Sequence, residues 1–384
     1  MPLRNNLKWP NDFPQAQSSS EFFSSKISCS YCYAKGGSHR FSSKTLLKDS
    51  TLETKEHEQR IPDLYISKEF NAILFSQYGV AASSGEIITS ALPGWFNHKF
   101  ESDYQTHYLK KFYAINKDDS IYCYERPSET ETYYNTPSVL LGTPTDDAFS
   151  HFIFETLAKL CALDPKTIET YHFIVSDHIK PYQQLLLERA GISKDRQIKR
   201  SALGKHNVRL SEAILIKWPS HNNIWTAPSA LYYLKELFEE KFRSEDQVFS
   251  RKNYLDRDDE RGAYRRIENE TELKKDLISL GFDIKTPGRL NFNQKRGLFR
   301  QSELIAGQYG GGLQLCFLAK HGTKLLIIQS EVFIRTHIDF MSSILGLETI
   351  NVLAEISSEE KHSNAPIKIS TPKVLETLNK LQLI

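Results

Sequence analysis

Two sets of residues in this 384-residue chain have types and spacings that could support chemistry. His151 and Glu155 are four residues apart, which places both side chains on one face of a helix. In such a pair either group can accept a proton, or the carboxylate can orient the imidazole. The second set is Gly310, Gly311, Gly312 and Leu313, where an apolar strand is predicted to turn into a helix. Glycines let the backbone approach a ligand, and a helix N-terminus offers N–H groups to an anion.

Both sets also have structural explanations that the spacing leaves open. A histidine and a glutamate four residues apart can be a satisfied structural pair, and a triple glycine can be a tight turn. Arg251 and Arg266 precede the glycines in the sequence and could add planar, permanently charged groups for an anion. For Arg266 the alternative is an exposed patch at the start of a helix.

Around the glycines, segments with the periodicity of a strand alternate with segments with the periodicity of a helix. Gln247–Arg251, Phe282–Lys285, Leu304–Gly310 and Lys324–Gln329 are predicted strands, and Glu270–Leu280 is a predicted amphipathic helix. Asn269 is a plausible N-cap of that helix, and Gly281 is placed to end it. Strands alternating with helices at these loop lengths predict a parallel sheet covered by helices.

The elements that position His151 and Glu155 follow the same pattern. Ser138–Gly142 is a predicted strand, and residues 148–164 form a predicted amphipathic helix that carries both side chains near its start. Further predicted strands and helices up to Phe242 make this region α/β as well. We therefore predict a polar, poorly defined N-terminal extension over residues 1–60, an α/β domain over 61–245 and a second α/β domain over 246–384.

Composition excludes some classes of function and leaves others open. Lys and Arg total 49 against 47 Asp and Glu, a net charge of +2, so no general nucleic-acid footprint is present. No apolar run approaches the ~20 residues that span a bilayer, and the first residues lack an apolar signal core. The odd number of cysteines, 5, favours a reducing cytoplasm. Cys29 and Cys32 have metal-ligand spacing, but tetrahedral zinc needs four ligands, so metal binding there stays open.

Four stretches of the chain, taken in order, resemble the motifs of a known family. Their order and spacing together are more specific than any one of them. The stretches are His151-Phe-Ile-Phe-Glu155, Ala227-Pro-Ser-Ala-Leu231, Ser250-Arg251 with Arg265-Arg266-Ile267-Glu268-Asn269-Glu270, and Gln294 with Leu298-Phe299 and Gly310-Gly311-Gly312-Leu313.

These motifs are similar to those of glycosyltransferase family 61, which includes bacterial capsular-polysaccharide-type transferases and eukaryotic sugar transferases of the secretory pathway. The resemblance covers roughly Ser138 to Ile350. It implies an α/β, GT-B-like fold with two Rossmann-like domains facing each other across a cleft. It also implies inverting transfer of a sugar from a nucleotide-sugar donor to a glycan acceptor, with no metal or other cofactor required. The residues it assigns are His151 and Glu155 for catalysis, and Arg251, Arg266, Gln294, Gly310, Gly311, Gly312, Leu313 and Gln329 for donor binding.

The sequence departs from the family pattern at several positions around the glycines. Tyr309 stands where the family usually has His, Gly311 replaces Ala, and Leu315 replaces a common Asn. Gln329 stands where a Glu commonly ends the next strand. A catalytic histidine therefore cannot be transferred to Tyr309. These departures favour the alternative of a catalytically silent nucleotide-sugar-binding or scaffold protein with the same fold.

The resemblance also indicates a biological setting. We expect a bacterial-type, cytoplasmic enzyme of surface-polysaccharide or lipopolysaccharide biosynthesis, with a glycan or lipid-linked glycan acceptor and peripheral contact with the inner membrane face. A nicotinamide-dependent oxidoreductase is disfavoured, because no GxGxxG follows a first strand with an acidic residue after the second. The donor sugar, its nucleotide, the linkage and the oligomeric state cannot be read from the sequence.

Overall fold

A computed structural model describes residues 29–47, 51–61, 63–74, 80–81, 113–115, 121–123, 131–143, 145–204, 207–221, 225–242, 247–257, 266–357 and 365–380. These residues divide into two compact units. The first unit holds the described residues up to Ser38 and those of Arg60–Leu234. The second unit holds His39–Gln59 and the described residues from Lys235 onwards. The predicted boundaries at 60 and 245, and the predicted cleft between two domains, remain predictions.

Strands make up most of the first part of the described chain and alternate with helices afterwards. In chain order they are β1 Cys29–Ala34, β2 Gly37–Leu46, β3 Leu52–Ile61, β4 Leu64–Leu74, β5 Val80–Ala81, β6 Tyr113–Ile115, β7 Ile121–Cys123, β8 Glu131–Tyr134, β9 Ser138–Leu140, β10 His172–Val175, β11 Gln197–Lys199, β12 Asn207–Ile216, β13 Ser220–His221, β14 Trp225–Thr226, β15 Lys252–Leu255, β16 Asp283–Lys285, β17 Leu304–Gln308, β18 Lys324–Ser330, β19 Glu348–Ile356 and β20 Ile367–Lys368.

Helices follow the strands in the α/β parts of both units. The α-helices are α1 Phe149–His151, α2 Pro165–Thr170, α3 Pro181–Arg189, α4 Pro228–Lys241, α5 Glu270–Ser279, α6 Phe292–Gln301, α7 His337–Leu345 and α8 Thr371–Lys380. A π-helical turn spans Phe152–Thr156, and 3₁₀ helices span Leu157–Ala162, Lys194–Arg196, Arg200–Leu203, Pro287–Arg289 and Leu313–Leu318. None of the helices in the described ranges combines the length and the apolar character that crossing a bilayer requires.

The sheet of the first unit has a parallel half and an antiparallel half. Its order is β1-β4-β12-β9-β10-β11, and β12, β9, β10 and β11 run parallel. β4 pairs antiparallel with β12, and β1 pairs antiparallel with β4. The chain passes from β9 outward to β10 and β11 and then returns to the other side of β9 as β12. The sheet therefore has a topological switch point between β9 and β12, which is where α/β proteins bind ligands.

The sheet of the second unit contains a doubly wound parallel core. Its order is β16-β15-β17-β18-β19-β2-β3, and all pairs from β16 to β19 are parallel. Counted from β15, this is the strand order 2-1-3-4-5, so its switch point lies between β15 and β17. The predicted α/β class with parallel-rich sheets is confirmed, and both sheets are compatible with a Rossmann-like fold. The sequence did not reveal that an early segment completes this sheet.

That early segment is the strand pair β2 and β3. β2 pairs parallel with β19, joining Thr45 to Asn351 and Leu46 to Val352. β3 continues the sheet beyond β2 and carries charged side chains along most of its length. Charges on an outer strand discourage pairing with another chain. The stretch predicted as a polar extension thus contains strands β1, β2 and most of β3 among its described residues.

Helix α5 shows why the sequence pattern predicted the core of the second unit. Leu273 and Leu277 are fully buried in a cluster that includes Tyr254, Leu326 and Val352 of the sheet. The predicted apolar face of this helix is therefore confirmed. Gly281 has a φ of +82°, the left-handed conformation that ends a helix at low cost with glycine.

Two predicted elements differ from the structure. The strand predicted at Gln247–Arg251 is instead β15, which begins only at Lys252 and runs through the fully buried Tyr254. The amphipathic helix predicted for residues 148–164 is a short α-turn, a π-turn and a 3₁₀ helix. All residues from Phe152 to Leu160 are buried, so this segment is surrounded by protein and has no solvent-exposed face.

Gly142, just after β9, lies where a side chain does not fit. A Cβ on this residue would lie 2.9 Å from the backbone nitrogen of Ser176. We expect Gly142→Ala to lower the free energy of unfolding by about 1–3 kcal/mol, as overpacking does, measured by urea denaturation. Gly37→Ala is the control, because a Cβ there meets nothing within 4 Å, and it should change stability by less than about 0.5 kcal/mol. Equal stabilities of the two variants would contradict this packing.

Candidate functional site

His151 and Glu155 are brought together as predicted, at the start of the helical segment that follows β9. The His151 Nδ1 atom lies 2.8 Å from Glu155 Oε2. The Thr145 hydroxyl donates to the same oxygen at 2.6 Å. The exposed fractions of the two side chains are 12% for His151 and 2% for Glu155. The carboxylate is therefore held in place by buried neighbours, while the imidazole reaches the surface.

The backbone under this pair is irregular. His151 ends α1, and Glu155 lies in the π-turn Phe152–Thr156. Single π-turns inside helices are uncommon and often occur at functional sites. Here the turn keeps His151 and Glu155 in contact while all five of its residues are buried.

A second buried carboxylate, Asp146, holds the loop between β9 and α1. Its oxygens accept the backbone N–H of Thr143 at 2.9 Å and the Thr143 hydroxyl at 2.6 Å. The hydroxyls of Thr156 and Ser176 also donate to it. Burial raises the pKa of Asp146, and these hydrogen bonds oppose the rise. Sequence reasoning identified only a turn here, although Thr143 and Asp146 have the spacing at which a side chain closes such a turn.

The switch point of the first sheet contains a buried lysine that sequence reasoning also missed. Lys159 Nζ donates to the carbonyl of Leu141, just after β9, at 2.9 Å. The same nitrogen lies 5.2 Å from the ring centroid of Trp218, just after β12. Burial lowers the pKa of Lys159 to about 8, while Asp146 and Glu155 act in the opposite direction. Lys159 therefore bridges the ends of the two strands that define the switch point.

The glycine turn lies at the switch point of the second sheet. Gly310–Gly312 follow β17 by one residue, and the helix after them is a 3₁₀ helix that begins at Leu313. Leu313 is buried, so it contributes to the core of this unit. The helix predicted after the glycines is present as a short 3₁₀ helix, which offers a smaller dipole than an α-helix would.

Arg257 lies beside this turn. It follows β15 by one residue, and its Cζ is 3.9 Å from the position that a Cβ on Gly310 would occupy. Its Nη1 donates to Gln308 Oε1 at 3.4 Å. A guanidinium and a side-chain-free backbone thus meet at the carboxyl ends of β15 and β17. The mixed-sign run that begins at Arg257 indicates an exposed loop from the sequence alone; Arg257 is exposed, and the structure adds that it lies beside the glycine turn.

Arg251 lies at the opposite edge of the sheet, since it precedes β15. Its Nη1 is 3.0 Å from Glu303 Oε1, and its side chain is 77% exposed. The structure therefore does not bring Arg251 to the glycine turn. Arg266 is exposed four residues before α5, and its carbonyl accepts the N–H of Ile367 at 2.8 Å. Arg265 lies outside the described residues.

Gln294 and Gln329, the other predicted donor-binding residues, make structural contacts. Gln294 forms a capping box with Asn291 at the start of α6 and also donates to Gln247 at 3.2 Å. The Gln329 amide nitrogen donates to the Arg335 carbonyl at 3.0 Å, and its oxygen accepts the Arg335 N–H at 2.8 Å. Gln329 therefore holds the segment that follows β18.

Gln329 also connects to a buried carboxylate, Asp339. The Gln329 amide donates to Asn351 Oδ1 at 2.5 Å, and Asn351 donates to Asp339 Oδ1 at 3.0 Å. The Thr349 hydroxyl donates to the same carboxylate oxygen at 2.6 Å. Burial raises the pKa of Asp339 to about 6, against the effect of these hydrogen bonds.

This shift predicts a pH dependence of stability. Because the folded-state pKa of Asp339 exceeds the ordinary aspartate value of 3.8, the native state binds more protons than the unfolded state between about pH 4 and pH 6. The contribution of Asp339 to stability therefore falls as pH rises through this window. Relative to Asp339→Asn, the wild type should lose about 1–3 kcal/mol of unfolding free energy between pH 4 and pH 8. Urea denaturation at both pH values measures it, and a stability difference that does not change with pH would contradict the prediction.

Tyr309 occupies the position at which the family pattern has a histidine. The structure places a different histidine, His337, beside it. The Tyr309 hydroxyl lies 3.0 Å from His337 Nε2, and the two rings are edge to face at 5.0 Å. Gln314 Nε2 also lies 2.9 Å from His337 Nε2. His337 is the first residue of α7 and is fully buried. In the sequence, the departure at Tyr309 marks this position as unusual. No local pattern predicts that Tyr309 and His337, 28 residues apart, come into contact.

The described residues contain no group of three or more His, Cys, Asp or Glu side chains that could hold a metal ion. The side chain of Cys29 lies outside the described part of the chain, so the question of a site with Cys32 stays open. A surface cleft of about 440 Å³ lies between α5 and the start of α8. None of the predicted site residues lines this cleft, and the glycine turn is not part of its wall.

One family model matches the part of the chain that holds both candidate sites. The family model described as Glycosyltransferase 61 matches residues 149–326, a little under half of the chain. The match begins two residues before His151 and ends within β18, so it includes the His151–Glu155 pair and the glycine turn. A search of curated proteins found no match to the chain.

Proposed function

We propose, from the match of residues 149–326 to the Glycosyltransferase 61 family, that the protein transfers a sugar from a nucleotide-sugar donor to a glycan acceptor. Family membership supports a transferase. The donor, the inverting mechanism and the pathway are our proposals. The departure at Tyr309 is the observation that favours a silent binding protein, and the experiments below distinguish the two.

The observation that carries the proposal is the position of the glycine turn. Gly310–Gly312 lie at the carboxyl end of β17, beside the end of β15, where the strand order of the second sheet reverses. Open α/β sheets bind nucleotides at this kind of position. Arg257 adds a permanent positive charge at the same point. Together they support binding of a nucleoside diphosphate by the second unit.

The same groups could stabilise the leaving group. When the bond between the sugar and the diphosphate breaks, negative charge develops on the departing oxygen. Fixed donors aimed at that charge lower the barrier. The Arg257 guanidinium can bind a phosphate through two N–H groups, and the backbone at Gly310 is accessible because no side chain covers it.

In the first unit, His151 is our candidate for the base. Its Nδ1 contacts Glu155, so we assign Nε2 to accept the proton of the acceptor hydroxyl. In a single displacement that hydroxyl oxygen bonds to the anomeric carbon, the diphosphate leaves with the electron pair, and His151 takes the proton. Glu155, held by Thr145, would orient the imidazole and stabilise its charged form.

For the setting, we propose a cytoplasmic enzyme of surface-polysaccharide or lipopolysaccharide assembly, in peripheral contact with the inner membrane face. The acceptor would be a glycan or a lipid-linked glycan. This part rests on the resemblance and on the odd number of cysteines, 5, in the sequence.

The test is a thermal-shift screen of the full chain against UDP, GDP, dTDP and CDP, with NAD as the control for a dinucleotide-binding site. A ligand at ~100 times its dissociation constant stabilises the folded state by about 2.7 kcal/mol, a shift that is easily measured. We expect one of the four nucleotides to raise the melting temperature and NAD not to. A folded protein that none of the four stabilises would contradict the proposed function.

A further inference from the structure

We propose that Tyr309 is a further residue of the donor site, whose hydroxyl donates a hydrogen bond to the departing diphosphate. His337 and Gln314 are its positioning residues. This inference rests on the proposed function, because it concerns the same diphosphate at the same glycine turn.

Tyr309 is in the right place for this role. It directly follows β17 and directly precedes Gly310, and its N–H donates to the Ile328 carbonyl at 2.9 Å. That bond ties its backbone to the neighbouring strand β18. The side chain is partly exposed, whereas His337 is fully buried and Gln314 is 4% exposed. Tyr309 is therefore the member of the cluster that a ligand at the carboxyl edge of the sheet can reach.

The Tyr309 phenol contacts His337, and Gln314 in turn holds His337. Gln314 comes from the 3₁₀ helix after the glycines, and its N–H donates to the Gly310 carbonyl at 3.2 Å. His337 comes from α7, after β18. His337 Nε2 lies 2.9 Å from the Gln314 amide nitrogen and 3.0 Å from the Tyr309 hydroxyl. A phenol whose partner is itself held in place loses little freedom when it binds a ligand.

The proton count allows the hydroxyl to act as a donor. A tyrosine hydroxyl has one proton to donate and two lone pairs, and a neutral imidazole carries its proton on one of its two nitrogens. With the proton on Nδ1, His337 Nε2 accepts the Gln314 amide N–H at 2.9 Å, and the Nδ1–H faces the Tyr309 oxygen at 3.3 Å. The Tyr309 O–H can then point to a phosphate oxygen. Tyr309 itself transfers no proton: the diphosphate leaves with the electron pair of the broken bond, and the hydrogen bond from Tyr309 strengthens as charge develops.

A second tyrosine of the same unit provides a matched control. The Tyr254 hydroxyl donates to Glu270 at 2.8 Å, and its side chain is fully buried in the core. Tyr254→Phe removes a tyrosine hydrogen bond of similar length without changing the edge where Tyr309 lies. Both variants should lose some stability, so stability alone does not test the proposal.

The experiment compares wild type, Tyr309→Phe and Tyr254→Phe, using the nucleotide that the thermal-shift screen identifies and its nucleotide sugar. We expect Tyr309→Phe to bind that nucleotide roughly tenfold more weakly. We expect its kcat to fall roughly 100-fold or more while KM changes less, because the hydrogen bond strengthens as the transition state forms. Tyr254→Phe should keep the kcat and the affinity of the wild type. His337→Ala should lower kcat in the same direction, because the phenol is no longer held.

The outcomes separate this inference from the proposed function. If the wild type binds and turns over a nucleotide sugar and Tyr309→Phe does so equally well, the role of Tyr309 is wrong and the proposed function stands. If Tyr309→Phe and Tyr254→Phe lose kcat equally, the effect is structural and the inference is also wrong. If the wild type binds none of the nucleotides, both fail, and the thermal-shift screen shows this before any variant is made.

Discussion

Replacing Arg257 with alanine is expected to weaken binding of the nucleoside diphosphate by roughly 30- to 1,000-fold, or about 2–4 kcal/mol. The guanidinium lies beside Gly310 at the switch point of the second sheet, with Cζ 3.9 Å from where a Gly310 Cβ would be. Its loss removes a permanent charge and two hydrogen bonds from the proposed diphosphate site. Isothermal titration calorimetry with the nucleotide found by the screen measures the change directly.

Arg251→Ala is the matched control, since both residues are exposed arginines that flank β15. Arg251 lies at the opposite edge of the sheet and pairs with Glu303, so its removal should leave affinity unchanged. Arg257→Lys should be intermediate, because lysine keeps the charge but loses the two-pronged geometry. If Arg251→Ala weakened binding and Arg257→Ala did not, the original sequence-based assignment would hold and the structural one would fail.

The second large effect is expected in the first unit. We expect His151→Ala to lower kcat by roughly 10²- to 10⁴-fold, the usual range for loss of a general base. Glu155→Gln should have a smaller effect, because the amide can still accept the Thr145 hydroxyl but no longer stabilises a charged imidazole. Release of the nucleoside diphosphate from its nucleotide sugar, measured with an acceptor present, reports turnover, and nucleotide affinity should stay unchanged.

His172→Ala is the control for this prediction. His172 also lies in the first unit with a side-chain partner, the Tyr134 hydroxyl at 2.7 Å from Nδ1, but on strand β10. Its replacement should cost stability without a selective loss of kcat. If His151→Ala turned over as fast as the wild type, another residue would have to act as the base, and the His151–Glu155 pair would be structural.

Elements with strong local signals could be predicted from the sequence. Helix α5 begins and ends within one residue of the prediction, because its leucines repeat on one face and Gly281 ends it. The turn at Gly310–Gly312 was predicted because glycines directly follow an apolar run. Asn269 does occupy the N-cap position, but its amide pairs with the backbone of Ile369, a contact 100 residues away in sequence.

Features that depend on distant contacts could not be predicted. β2 joins the second sheet by pairing with β19, and no local pattern specifies which sheet an early strand will join. The start of β15 was misplaced because Gln247–Arg251 and Lys252–Leu255 are both compatible with a strand, and only the pairing with β17 decides between them. Arg251 was chosen from the Ser250-Arg251 motif of the resemblance, and only the observed position of β15 shows that Arg257 lies at the glycine turn. The roles of Gln329 and His337 depend on the segment after β18 folding back, which the sequence does not show.

The most direct test of the central claim is amide hydrogen exchange of the full chain, with and without saturating nucleoside diphosphate. We predict slower exchange with the nucleotide in peptides that cover residues 252–257 and 307–318, and unchanged exchange over 138–143 in the first unit. That result would place the donor diphosphate at the glycine turn of the second unit. Protection confined to the first unit, with no change around Gly310, would contradict the account.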